Sequence, residues 1–62
     1  MIFLRVNEVS IRTGYSIPHI WRLAREAKFP SPVKLGPNAS AWVESEITDW
    51  QSAKVAERDA VA

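Results

Sequence analysis

Arg22 and Arg25 stand three residues apart, with Pro18 four residues before the first of them. At about 100° per residue these three fall on one arc of a helix, while Ile20, Leu23, Ala24 and Ala27 fall on the other. Two guanidinium groups on a short polar helix face suit a polyanion, because each offers a rigid fork of donors that matches phosphate oxygens or the edge of a guanine. His19, the single imidazole, lies on the flank of that arc with Ile17, Trp21 and Glu26; taken alone it reads as an exposed polar side chain near a helix start. The rest of the inventory builds no catalyst. There is no cysteine to act as nucleophile or thiolate ligand, and one histidine makes no metal cluster. Gly14 and Gly36 are the only glycines, so neither a P-loop nor a dinucleotide-binding glycine motif is present. Glu44, Glu46 and Asp49 are read as carboxylates complementing the positive end of a helix dipole rather than as an acid/base pair. No enzymatic activity, catalytic residue, metal or cofactor is expected.

The elements that must position the basic arc can be placed from spacing and punctuation. Phe3-Leu4-Arg5 is extended in character. Val6, Val9, Ser10 and Thr13 share a face at helical spacing and Gly14 stops the run, which predicts a first helix over 6–13 with Ile11 on its opposite face. Ser16 is a good N-cap and Pro18 is tolerated in a first turn, so a second helix is expected over 16–28. Phe29-Pro30-Ser31-Pro32 must end it. Val33-Lys34-Leu35 and Ser40-Ala41-Trp42-Val43 flank the turn-rich Gly36-Pro37-Asn38-Ala39 and predict a hairpin, with Val33 and Leu35 on one strand face and Lys34 on the other. A third helix begins near Glu44 or Ser45. Val43, Ile47 and Trp50 mark its inner face, and the chain beyond Ala53 is expected to be frayed or solvated. Trp42 and Trp50 are expected to join Val9, Ile20, Leu23 and Ile47 in one core. The fold class is therefore mostly α with a small β-hairpin wing, with one domain over 1–52 and a frayed helical tail over 53–62.

Sixty-two residues allow a single small core, and the composition, 47% hydrophobic and 24% charged, is that of an ordinary globular chain. No apolar run is long enough to span a bilayer, and Arg5 interrupts Met1-Ile2-Phe3-Leu4 before it could resemble a leader; the expected location is the cytoplasm. The net charge of +1 conceals a division. Residues 1–43 carry six basic and two acidic side chains, and residues 44–62 carry two basic and five acidic ones. A basic body with an acidic end presents one surface to a polyanion and the other to water or a protein.

Two short helices joined by Gly14-Tyr15-Ser16 make a helix-turn-helix, and a hairpin directly after it gives the winged-helix order, in which the second helix is of a size to enter a major groove. Within that order stand Leu4-Arg5-Val6 with Glu8-Val9, then Arg12-Thr13-Gly14-Tyr15-Ser16 and Ile20-Trp21-Arg22-Leu23. The series continues through Phe29-Pro30-Ser31-Pro32-Val33-Lys34-Leu35-Gly36 and Trp42-Val43-Glu44-Ser45-Glu46-Ile47 with Trp50. In these residues, over about 3–52, the chain resembles the AlpA family of prophage regulators, winged helix-turn-helix proteins related to phage excisionases and more distantly to MerR-type domains. The resemblance implies a nucleoid-associated location.

The resemblance implies a sequence-specific binder of double-stranded DNA that regulates transcription of a prophage or integrated element. The alternative it also implies is an excisionase-type directionality factor that assists an integrase at attachment-site DNA. Its partners would be duplex DNA, further copies of itself on that DNA and, under the alternative, the integrase. Carried over position by position, the second helix becomes the recognition helix, with Ser16, Ile17, Pro18, His19 and Arg22 nearest the groove. Arg22, alone or with His19, would read base edges, while Arg25, Lys28 and Lys34 hold phosphates. Trp21 occupies a position where the family usually has tyrosine; it either packs under the wing or touches a backbone phosphate through its indole N–H, and packing is its expected role. The family wing often carries arginine after the Gly-Pro pair and before the tryptophan; this chain has Asn38 and Ala41 there, so its wing is expected to hold the backbone less strongly, through Lys34, Asn38 and Ser40. A reading from another class makes the chain a protein-interaction module that uses Ile11 and the C-terminal segment.

Overall fold

The turn between the first two helices is set by local devices visible in the sequence, and those helices follow from where the devices fall. A computed structural model describes residues 1–61. The order is β1 (Phe3–Leu4), α1 (Val6–Thr13), α2 (Ile17–Arg25), β2 (Val33–Gly36), β3 (Ala39–Val43) and α3 (Glu44–Val61), a winged helix-turn-helix. The α1 helix ends at Gly14, whose φ of 80° is left-handed and whose N–H donates to the Ser10 carbonyl at 2.9 Å. Two hydroxyls hold the turn that follows. Ser10 Oγ donates to the Tyr15 carbonyl at 2.6 Å, and Thr13 Oγ1 donates to the Val9 carbonyl while accepting from the Tyr15 N–H. Ser16 then caps α2 by accepting from the His19 N–H at 3.3 Å.

The α2 helix stops at Arg25 rather than continuing to residue 28, and Ala27 leaves the core arc on which helical spacing had placed it. The Lys28 N–H donates to the Leu23 carbonyl at 2.9 Å and the Ala27 N–H to the Ala24 carbonyl at 3.2 Å, the paired bonds of a Schellman motif. Ala27 sits at its left-handed position with φ 60°. This reversal ends the helix early enough for Phe29 to enter the core, where it is buried. A side chain in this conformation costs about 1–2 kcal/mol that glycine avoids. Because glycine also loses more chain entropy on folding, Ala27→Gly is expected to raise stability by a net of about 1 kcal/mol, read as a higher urea midpoint with an unchanged slope.

The hairpin closes with a turn at Pro37-Asn38, and Gly36 pairs with Ala39, so the strands reach further toward each other than the expected four-residue connection. An irregularity between Lys34 and Gly36 breaks the ladder. The extended N-terminus adds a third strand: β1 pairs antiparallel with β3 in the order β1-β3-β2, and the Glu44 N–H donates to the Ile2 carbonyl at 2.8 Å. Strand alternation and register place Leu4, Trp42, Ser40 and Lys34 on one face, and Phe3, Val43, Ala41 and Val33 on the other. All three helices lie on the first face, where Val9, Ile20 and Ile47 join Leu4, Phe29 and Trp42 in the core. Leu23 and Trp50 pack at its border, half-buried. The apolar side chains of β2 do not enter the core; Val33 and Leu35 stay exposed.

The α3 helix runs to Val61, and residues 52–61 are exposed throughout. Ala62, the last residue of the expected tail, lies outside the described residues. Glu44 does more than complement the helix dipole: it pairs with Arg12 at 3.1 Å, and Gln51 Nε2 donates to the Arg12 carbonyl at 2.8 Å, tying α1 to α3.

Candidate nucleic-acid interface

The α2 helix turns Ile20 into the core and so turns Pro18, Arg22 and Arg25 outward, where all three are exposed. Ser16 and Ile17 at its start are also exposed, although the Ser16 hydroxyl is occupied by the cap. His19 is half-buried and lies against Tyr15, with ring centroids 4.5 Å apart; Tyr15 in turn meets Trp50 edge-on at 5.6 Å. The imidazole is thus held at one flank of the helix by a tilted aromatic contact.

The hairpin residues divide. Lys34 and Ser40 are cross-strand partners on the face that also carries Trp42, so Lys34 projects from the same side of the sheet as α2. Asn38 is exposed in the turn. Lys28 lies beyond the end of α2 and pairs with Glu26 at 3.7 Å, so it stands apart from the arginine arc.

Ion pairing sorts the basic side chains more sharply than sequence order does. Arg12 is engaged by Glu44 and, at 3.7 Å, by Glu8; Lys54 and Arg58 pair with Glu57 and Asp59 on α3. Among the described residues, Arg5, Arg22, Arg25 and Lys34 are the arginines and lysines left without a carboxylate partner. Three of these carry the positive surface of α2 and the wing. Arg5 is the one that sequence reasoning passed over; it precedes α1 and supplies the carbonyl that accepts the Val9 N–H at 3.1 Å. The locking of Arg12 had a sequence signal in the Glu8/Arg12 spacing of four. A second unforeseen feature is a cleft of about 400 Å³ on the hairpin side of α2, lined by Trp21, Ala24, Arg25 and Pro32.

Among the described residues no group of three or more His, Asp or Glu side chains is placed to hold a metal ion, and no helix is long and apolar enough to cross a membrane. Helix-turn-helix, hairpin wing and an unpaired basic helix face together define the winged helix-turn-helix class. Within it, the chain belongs to the family described as prophage CP4-57 regulatory protein (AlpA), whose model matches residues 2–55. It is also 43% identical over 56 residues to a protein of Enterobacteria phage P4 described as "Uncharacterized protein ORF88", an alignment covering 90% of this chain and 64% of that one. The chain therefore spans just under two thirds of that relative's length. No solved structure matches it. The family is a phage-associated regulatory one.

Proposed function

We propose that this chain is a sequence-specific double-stranded DNA-binding transcriptional regulator of a prophage or integrated element, with α2 as its recognition helix. The observation that carries this reading is the pair of exposed, unpartnered guanidinium groups of Arg22 and Arg25 on the side of α2 opposite Ile20, with Lys34 exposed and likewise unpartnered on the wing. Arg22 reads a base edge, with His19 at its flank; Arg25 and Lys34 hold phosphates, and Asn38 and Ser40 add weaker backbone contacts. Lys28, already near Glu26, contributes less. The acidic start of α3 is kept from phosphates by electrostatic repulsion.

The test is a footprint of the purified protein on DNA from its own genetic neighbourhood. Protection of a discrete promoter-proximal site supports regulation of transcription. Tandem protected sites beside an attachment core support the excision role instead, and uniform weak binding to all DNA overturns the sequence-specific reading.

A module of this size buries only about 600–1,000 Å² on DNA, so a single copy has little surface with which to discriminate a site. The exposed part of α3 carries Lys54, Glu57, Arg58 and Asp59 rather than a continuous apolar stripe. The chain is therefore expected to sediment as a monomer when free and to bind paired half-sites more tightly per site than single ones. A tight dimer before DNA is added, or equal affinity per site, would contradict this.

A further inference from the structure

The hairpin-side flank of α2 has a chemistry of its own. Trp21, Ala24 and Arg25 of α2 face Pro32, the residue before β2, across the open cleft of about 400 Å³. Trp21 is 38% exposed, and its ring lies 5.0 Å from that of the buried Trp42 at an interplanar angle of 55°. Trp42 is fixed in turn by the bond from its Nε1 to the Pro30 carbonyl at 2.7 Å, two residues from Pro32. Both walls of the cleft are thus anchored to the core. Arg25, at the cleft, has no carboxylate partner among the described residues.

Indole and pyrrolidine walls beside one unpaired guanidinium suit a ligand that is part apolar and carries a single negative charge. A deoxyribose-phosphate unit has that make-up. Position on the helix says where such a unit would come from. Taking Ile20 as pointing straight inward, Arg22 lies about 200° around the helix, Arg25 about 140° and Trp21 about 100°. When Arg22 faces the floor of a groove, Arg25 and Trp21 face its wall, and that wall is the sugar-phosphate backbone of one strand.

We propose that this cleft clamps one deoxyribose-phosphate unit of duplex DNA, with Arg25 pairing the phosphate and Trp21 and Pro32 covering the sugar. The clamp rests on the DNA-binding reading above and adds to it a sequence-independent subsite that fixes the rotation of α2 in the groove. It assigns Trp21 a contact with the ligand in addition to its packing on Trp42.

The test compares the full chain on its footprinted duplex and on an unrelated duplex across a range of salt concentrations. Arg25→Ala is expected to weaken binding to both duplexes about tenfold and to reduce the slope of log affinity against log salt by about one. In parallel, the Trp21 indole N–H resonance, assigned by its absence in Trp21→Phe, is expected to shift on adding either duplex while that of Trp50 holds. An unshifted Trp21 signal during binding, as a protein partner in the cleft would leave it, overturns the clamp alone; an unaltered salt slope in Arg25→Ala overturns the clamp together with the phosphate role of Arg25, while leaving Arg22 as the reading residue. Failure of the unaltered chain to bind either duplex overturns the DNA-binding reading and the clamp with it.

Discussion

Trp42→Ala is expected to leave the domain unfolded, or nearly so, at 25 °C. The side chain is fully buried near the end of β3, in one core cluster with Val9, Ile20 and Ile47 from the three helices. Truncating a buried tryptophan costs about 3–5 kcal/mol through lost transfer energy and the cavity left behind. Here a second cost adds to the first, because the Pro30 carbonyl loses the indole donor it accepts from at 2.7 Å. At roughly 0.05–0.15 kcal/mol per residue, a chain of this length has about 3–9 kcal/mol of total stability to lose. Far-ultraviolet dichroism with urea titration is the check. Trp42→Phe, which keeps a ring but not the donor, should remain folded with a lowered midpoint. Trp50→Ala should cost less than Trp42→Ala, since Trp50 sits half-buried at the core border against Tyr15 and Phe29. Equal losses at the two positions would mean that burial and the indole bond do not set the ranking.

Those two tryptophans also show what was legible in the sequence. Helical spacing identified Val9, Ile20 and Ile47 as inward-facing, and the Gly14 and Ser16 signals located the helix-turn-helix to within a residue, because these devices act within one turn of chain. The end of α2 was not legible. Alanine is a strong helix former, and nothing local shows that Ala27 takes a left-handed conformation; the demand comes from Phe29, which must reach a core that exists only once β3 and α3 are in place. The third strand was hidden for a similar reason. Two residues, Phe3 and Leu4, carry too little alternation to announce a strand, and their pairing with Val43 and Trp42 joins residues from opposite ends of the domain.

The candidate site divides along the same line. The outward arc of Pro18, Arg22 and Arg25 follows from helical geometry alone, so spacing was enough to find it. The state of each charge follows from spacing only in part. Glu8, four residues before Arg12, signals one pairing, but only the fold brings Glu44 to Arg12 across the α1–α3 contact and leaves Arg25 facing an open cleft. Net charge by segment therefore counted Arg12 and Lys28 toward the polyanion surface, although each already has a carboxylate beside it.

The separation between an arginine held in ion pairs and one left free on α2 gives the second large expected effect. Arg22→Ala should weaken binding to the footprinted site by about 1–3 kcal/mol, roughly a 5- to 150-fold loss, and should narrow the gap between that site and unrelated DNA. The fold should be indifferent to it. Arg22 is exposed, makes no ion pair and lies opposite Ile20, so its melting temperature should stay at the parent value. Arg12→Ala should show the reverse pattern. It removes the contact with Glu44, a partly exposed pair worth at most about 1 kcal/mol, so stability falls slightly. Preference for the specific site should be kept, because Arg12 lies on α1 and is already engaged by carboxylates. Lys instead of Arg at position 22 should recover the non-specific part of binding but not the discrimination, since an ammonium presents a point charge where a guanine edge calls for two parallel donors. An Arg22→Ala protein that still distinguished its site as well as the parent would remove α2 from the recognition role. A matching loss of discrimination in Arg12→Ala would place the reading surface on α1 instead.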